Sequence, residues 1–176
     1  MTVASIALAV VVAVLAATVA ALLLRNPRAP RKLAVPRGAR RVLVPFAGAL
    51  DPAVLEAAIR IARAEDDVLV PAYLVIVPLR YAEDSPLQDE VAVAMPLLEA
   101  VERAALSAGV PVDARIEKGR TLTHALQRLW SVEQFDRIVA PASGEGHPGF
   151  SEKELAWLLT HAPTETVVLK PTPLVA

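Results

Sequence analysis

The sequence predicts a five-stranded, mostly parallel α/β sheet with helices on both faces, preceded by one N-terminal transmembrane helix. Three observations predict it. Strand-length apolar runs alternate with amphipathic segments in the order β-α-β-α-β-α-β-α-β, the pattern of a sheet wound by crossover helices. Several of those runs are apolar throughout, as strands covered on both faces are. Finally, the 23 residues from Thr2 to Leu24 carry no ionisable side chain.

At about 1.5 Å per residue, that opening run spans roughly 30 Å of hydrocarbon. Residues 1–24 therefore read as a transmembrane helix. A secretory leader would want a basic start and a shorter apolar core; here Leu22, Leu23 and Leu24 prolong the run past Thr18-Val19-Ala20. The flank from Arg25 to Arg41 holds seven basic and no acidic residues. Positive flanks stay on the cytoplasmic side, which predicts the N-terminus outside and the rest of the chain cytoplasmic. Pro27, Pro30, Pro36 and Gly38 make residues 25–40 a basic, semi-extended linker.

Residues 41–173 are expected to form the domain. Arg41–Pro45 is a buried strand, and Asp51 caps a helix with Pro52 at its first position. Val68–Val77 is a second strand, interrupted near its start by Pro71. After the acidic loop Glu83-Asp84-Ser85-Pro86 comes a long helix with Val91, Met95, Leu98, Val101 and Leu106 inward. Pro96 should kink that helix or mark its start, and Gly109 should end it. Val112–Glu117 alternates apolar with charged residues, which suits a half-exposed edge strand. Thr121 opens a short amphipathic helix, Asp136–Ala140 is another buried strand, and Ser151 with Glu154 forms a capping box. Thr166–Leu169 is the last strand, closed by Pro171.

Charge and composition exclude several functions. The chain has 18 basic and 19 acidic residues; with seven basic ones in the linker region, residues 42–176 keep 11 against 19, a net of -8. An acidic domain lacks the basic face that nucleic acid requires. The basic linker is suited instead to anionic lipid head groups. There is no cysteine, and the three histidines (His124, His147, His161) show no metal-ligand spacing, so no metal site is expected. Ser143-Gly144 lacks the preceding glycine of a nucleophile elbow, so the chain does not read as an enzyme. The acidic cluster around Ser85-Pro86 reads as a solvated loop, and Trp130 and Trp157 as core residues. His161 should interact with the C-terminus of its helix. The candidate ligand loop is Ser143, Gly144, Gly146, His147 and Gly149, glycine-rich and placed at the carboxyl end of a strand.

These residues resemble a known family. Val42-Leu43-Val44-Pro45-Phe46-Ala47-Gly48 is similar to the opening of universal stress protein domains. So are Asp136-Arg137-Ile138-Val139 with its glycine-containing loop, and His161-Ala162-Pro163 followed by Val167-Val168-Leu169-Lys170-Pro171. The resemblance covers about residues 40 to 172. It implies a flavodoxin-like domain, dimeric through its last strand, in a family of which some members bind ATP. Those members carry an acidic residue after the first strand and a spaced set of glycines after the fourth, ending in glycine with serine or threonine. This sequence has Ala47 at the first place and Pro141 at the first glycine, keeps Gly144, and has Glu154-Leu155 at the end. Anchored instead on Gly146 and Gly149, the pattern ends on Leu159-Thr160. Proline offers no amide to a phosphate, so ATP is disfavoured and no cofactor is expected. The resulting expectation is a membrane-anchored binding and regulatory module, a homodimer, placed to meet a membrane transporter. The alternatives are a nucleotide sensor using the 141–149 loop and, third, a small hydrolase using the same loop.

Overall fold

The computed structural model describes residues 38–170 apart from Asp84, Glu145 and Gly146. The transmembrane helix expected over 1–24 and most of the linker expected over 25–40 lie outside the described residues. Among the described residues, no helix is long and apolar enough to cross a membrane.

The elements follow the expected alternation: β1 (Arg41–Phe46), α1 (Pro52–Glu65), β2 (Val68–Ile76), α2 (Gln88–Ser107), β3 (Arg115–Gly119), α3 (Leu122–Val132), β4 (Arg137–Pro141), α4 (Glu152–His161) and β5 (Glu165–Leu169). The strands form one sheet in the order β3-β2-β1-β4-β5, and every pairing is parallel. The central strands β2, β1 and β4 are buried on both faces because helices cover both. On one face Val42, Val44, Leu69 and Val139 meet Ala58 and Ala62 of α1 and Val101 and Ala105 of α2. On the other, Leu43, Val70, Ala72, Ile138 and Ala140 meet Ala125, Leu126 and Leu129 of α3 and Leu158 of α4.

Three prolines decide where the sheet is continuous. The amide of Val68 donates to the carbonyl of Arg40, so the even-numbered residues of β1 and β2 face each other. Pro71 therefore faces β3, where it has no N–H to give to Asp113. Pairing between β2 and β3 is an isolated bridge at Leu69–Val112, then resumes in the same register at Ala72–Arg115. The edge strand expected over Val112–Glu117 consequently begins at Arg115, although it does lie at the sheet edge. By the same parity, Pro45 faces β4. Ala142 donates to Leu169 on β5, so the odd-numbered residues of β4, Pro141 among them, face β1. Neither proline can donate to the other's strand, and the β1–β4 ladder stops at Leu43–Ile138.

Two expectations for α2 need correction. The helix starts at Gln88 and runs through Pro96, so the proline does not mark its start. The missing donor leaves the Ala92 carbonyl unpaired, but both residues are exposed and water can serve it. Met95 is 46% exposed rather than inward; the buried set is Ala94, Leu98, Val101 and Ala105, one helical face along. Gly109 follows the helix with φ +80°, and Val110 donates back to Ala105, as a glycine C-cap requires. Trp130 and Trp157 are half-buried and pack against the core, as expected. Their rings stack at 5.6 Å between centroids, and His161 stacks on Trp157 at 4.9 Å. His161 Nδ1 lies 2.8 Å from the Trp157 carbonyl in the last turn of α4, the helix-end contact that was expected.

At the amino ends of the strands, Arg41 donates to Asp113 and Glu133 at 2.8 Å each, and Arg115 donates to Glu133 at 2.8 Å and also to Asp113. This partly buried cluster ties the segment before β3 to β1 and to the end of α3.

Gly119 is where β3 passes under α3: a Cβ there would lie 2.5 Å from the Ala125 backbone nitrogen. Gly119→Ala should therefore destabilise the domain by about 2 kcal/mol through overpacking against backbone. Urea unfolding of the two proteins measures this; equal midpoints would mean that α3 is free to move away.

Candidate functional site

In an open parallel sheet, ligands sit where successive crossovers leave a strand in opposite directions. Here the chain moves from β1 to β2 and β3 on one side, then returns to β4 and β5 on the other. The crevice is thus between the carboxyl ends of β1 and β4, where Pro45 and Pro141 end the ladder. It is flanked by the β1–α1 loop, ending in Asp51, and by the β4–α4 loop, which holds the candidate residues.

The β4–α4 loop turns back into this gap. Phe150 donates its amide to the Pro141 carbonyl at 2.8 Å and accepts from the Ser143 amide at 2.9 Å, forming a parallel bridge with Ala142. It takes the hydrogen-bonding place that β1 would occupy had the ladder continued. Its ring is 2% exposed and packs in the α3–α4 face of the core. Gly149 permits the approach, since a Cβ there would lie 2.5 Å from the Ala142 carbonyl carbon. Gly144 and His147 exchange backbone hydrogen bonds at 3.3 and 3.0 Å.

His147 also reaches across the crevice. Its Nδ1 lies 2.7 Å from Asp51 Oδ2. An ionised carboxylate only accepts, so Nδ1 carries the proton. Asp51 Oδ1 meanwhile accepts from the Ala53 amide at 2.8 Å, capping α1. The His147 hydrogen bond, and after it the Ala53 amide, hold the Asp51 carboxyl below its ordinary 3.8, against the opposing effect of burial. Asp51 is 7% exposed, so its two oxygens are committed to two partners.

Among the described residues, the crevice keeps a small hollow. A cavity of about 20 Å³, lined by Phe46, Ala47, Ala49, Leu122, Gly149 and Phe150, has room for roughly one water. A wider hollow of about 150 Å³ lies at the end of β2 against Arg80, Tyr81, Leu87 and Asp89. It too is below the roughly 300–1,000 Å³ of small-molecule pockets.

No family model and no curated protein matches the sequence. Solved structures match in fold. A universal stress protein from Lactobacillus plantarum aligns with a TM-score of 0.58 at 20% identity, over 74% of this chain and 97% of its own. A universal stress protein in complex with cAMP gives 0.56 at 20% identity, over 74% and 97%. One from Arabidopsis thaliana with AMP bound gives 0.54 at 19% identity, over 76% and 93%. The fold is that of the universal stress proteins.

Within this universal-stress-protein fold, several amides of the candidate loop are engaged inside the protein. The amides of Ser143, Gly144 and His147 donate inside the loop, and Gly149 serves packing; Gly146 lies outside the described residues. Helix α4 begins with its own capping box, in which Glu154 accepts from the Ser151 amide at 2.8 Å and Ser151 caps the Glu154 amide. Glu152 and Glu154 make that helix start anionic. Of the acidic cluster around Ser85, Glu83 is bridged by His124 at 3.1 Å and Arg128 at 3.5 Å, while Asp89 and Glu90 sit in the first turn of α2. Asp84 lies outside the described residues. Among the described residues no group of three side chains could hold a metal ion.

Asp51 and Phe150 were not legible as site residues. The sequence marks Asp51 only as a helix cap, although a carboxylate that caps through one oxygen has a second to offer.

Asp51→Ala should cost about 1–2 kcal/mol at neutral pH by removing the cap. Because the folded carboxyl titrates below its unfolded value, that contribution is complete above about pH 3.8 and fades as pH falls through the folded value. Unfolding midpoints of wild type and variant should therefore converge in acid; a constant gap would assign the effect to the cap's shape rather than its charge.

Proposed function

We propose that the protein is a universal-stress-protein-like binding and regulatory module, held at a membrane by residues 1–24, with its domain in the cytoplasm and without tight ATP binding. The single observation that carries the reading is the state of the β4–α4 loop. Among the described residues, the amides of Ser143, Gly144, His147 and Phe150 are used within the protein, and Glu152 and Glu154 stand at the following helix start. A triphosphate entering there would lose amide donors and meet two carboxylates. In this reading the module works by binding rather than turnover, with His147 held by Asp51.

A homodimer through β5 accompanies this reading. One side of β5 pairs with β4, its other edge is unpaired among the described residues, and Val168 and Leu159 are 36% and 61% exposed. The apolar run over 2–24 and its basic flank support the anchor, which would concentrate the module near membrane proteins such as transporters. The solved neighbours carrying cAMP and AMP favour a second reading, a membrane-tethered nucleotide sensor whose crevice takes a nucleoside monophosphate.

Calorimetric titration of ATP, ADP and AMP with magnesium into the purified full chain distinguishes the two. The first reading expects no heat with any of them; micromolar ATP binding would overturn it, and AMP binding alone would select the second. Fractionation tests the anchor. The full chain should sediment with membranes and a chain lacking 1–24 should not, whereas a soluble full chain would remove the anchor from the proposal.

A further inference from the structure

The β1–β4 crevice is filled by the chain itself. Pro45 and Pro141 part the strands, and backbone groups of β4 left inside that gap would be costly unless paired. Residues 147–150 pair them: Phe150 bonds Pro141 and Ser143, its ring is buried below, and His147 spans to Asp51 above. Asp51 is a nearly buried anion with one oxygen surplus to its capping duty, and the imidazole N–H satisfies that oxygen. A sugar hydroxyl is a donor of the same kind and could replace it. The contact also joins segments far apart in the chain, so breaking it frees the loop side of the crevice while α1 keeps its cap.

We propose that residues 147–150 are an internal occupant of the β1–β4 crevice, held in place by the His147–Asp51 hydrogen bond, and that a nucleoside monophosphate enters only when this contact is released. This rests on the reading of the crevice as the module's ligand site. It recasts the disfavoured binding of the resting protein as an autoinhibited state rather than a lost site. The competitor is intramolecular, so the apparent affinity of any ligand falls by the fraction of molecules in which the contact is open.

Two variants separate the contact from the fold. His147→Ala removes the donor. Asp51→Ser keeps a capping oxygen for Ala53 but lacks the second oxygen that holds His147. Amide hydrogen exchange on the full chain, with and without millimolar AMP, reads the result. Both variants should speed exchange at Ser143 and Phe150 by about tenfold or more, with α1 amides unchanged. His147→Ala, which keeps the Asp51 oxygen for a sugar hydroxyl, should then bind AMP at least tenfold more tightly than wild type, with slowed exchange at Ser143 in its presence. Asp51→Ser frees the loop but lacks that oxygen, and should gain no affinity. Unchanged loop exchange in both variants would show that the contact holds nothing shut. Faster exchange in His147→Ala without AMP binding would show that the gap takes no nucleotide, and equal AMP affinity in wild type and His147→Ala would show that the contact does not inhibit; each overturns the proposal. Tight ATP binding by wild type is a separate result, which sinks the functional reading instead.

Discussion

Proline's missing amide hydrogen shapes the middle of this sheet. Pro45 and Pro141 stand on facing edges of β1 and β4, and neither can donate to the other strand, so the two part after Leu43–Ile138. The carbonyl of Pro141 and the amide of Ser143 then point into a gap inside the protein, where an unpaired group costs about as much as a lost hydrogen bond. Phe150 answers both groups with its own backbone and fills the space with its ring. The position of the β4–α4 loop, the need for a bare Cα at Gly149 and the closure of the crevice follow from that pairing.

A phosphate cradle and this folded loop are competing uses of the same donors. Backbone amides attract phosphate when they converge unpaired on a concave surface at a helix start. Here those of Ser143, Gly144, His147 and Phe150 are paired, the helix behind them begins with a capping box, and its first turn carries two carboxylates. Asp51 shows the same economy of groups: one oxygen starts α1, the other holds the loop. Phe150 thereby packs into the gap between the carboxyl ends of β1 and β4.

The opposite end of the sheet is organised by charge. Arg41, Arg115, Asp113 and Glu133 hold together the segment that Pro71 releases from the β2–β3 ladder. Such partly exposed pairs contribute little stability individually, so their role is positional, whereas the two apolar layers carry the fold. The candidate site at the carboxyl end thus rests on a scaffold fixed elsewhere.

The element order, the two-sided burial, the caps at Asp51, Thr121 and Ser151, and the edge position of β3 were legible in the sequence, because periodicity and capping are local properties. The loop that carries the candidate site was legible too, as glycines after a parallel strand. Its state was not. Pro45, Pro71 and Pro141 could be seen to lack donors, but which neighbour each one faces depends on strand order and hydrogen-bond parity, which no single segment contains. Met95 turned outward because the choice among helix faces belongs to what the helix packs against. Asp51 and His147 stand 96 residues apart, and only the sheet order that sets β1 beside β4 brings them to 2.7 Å.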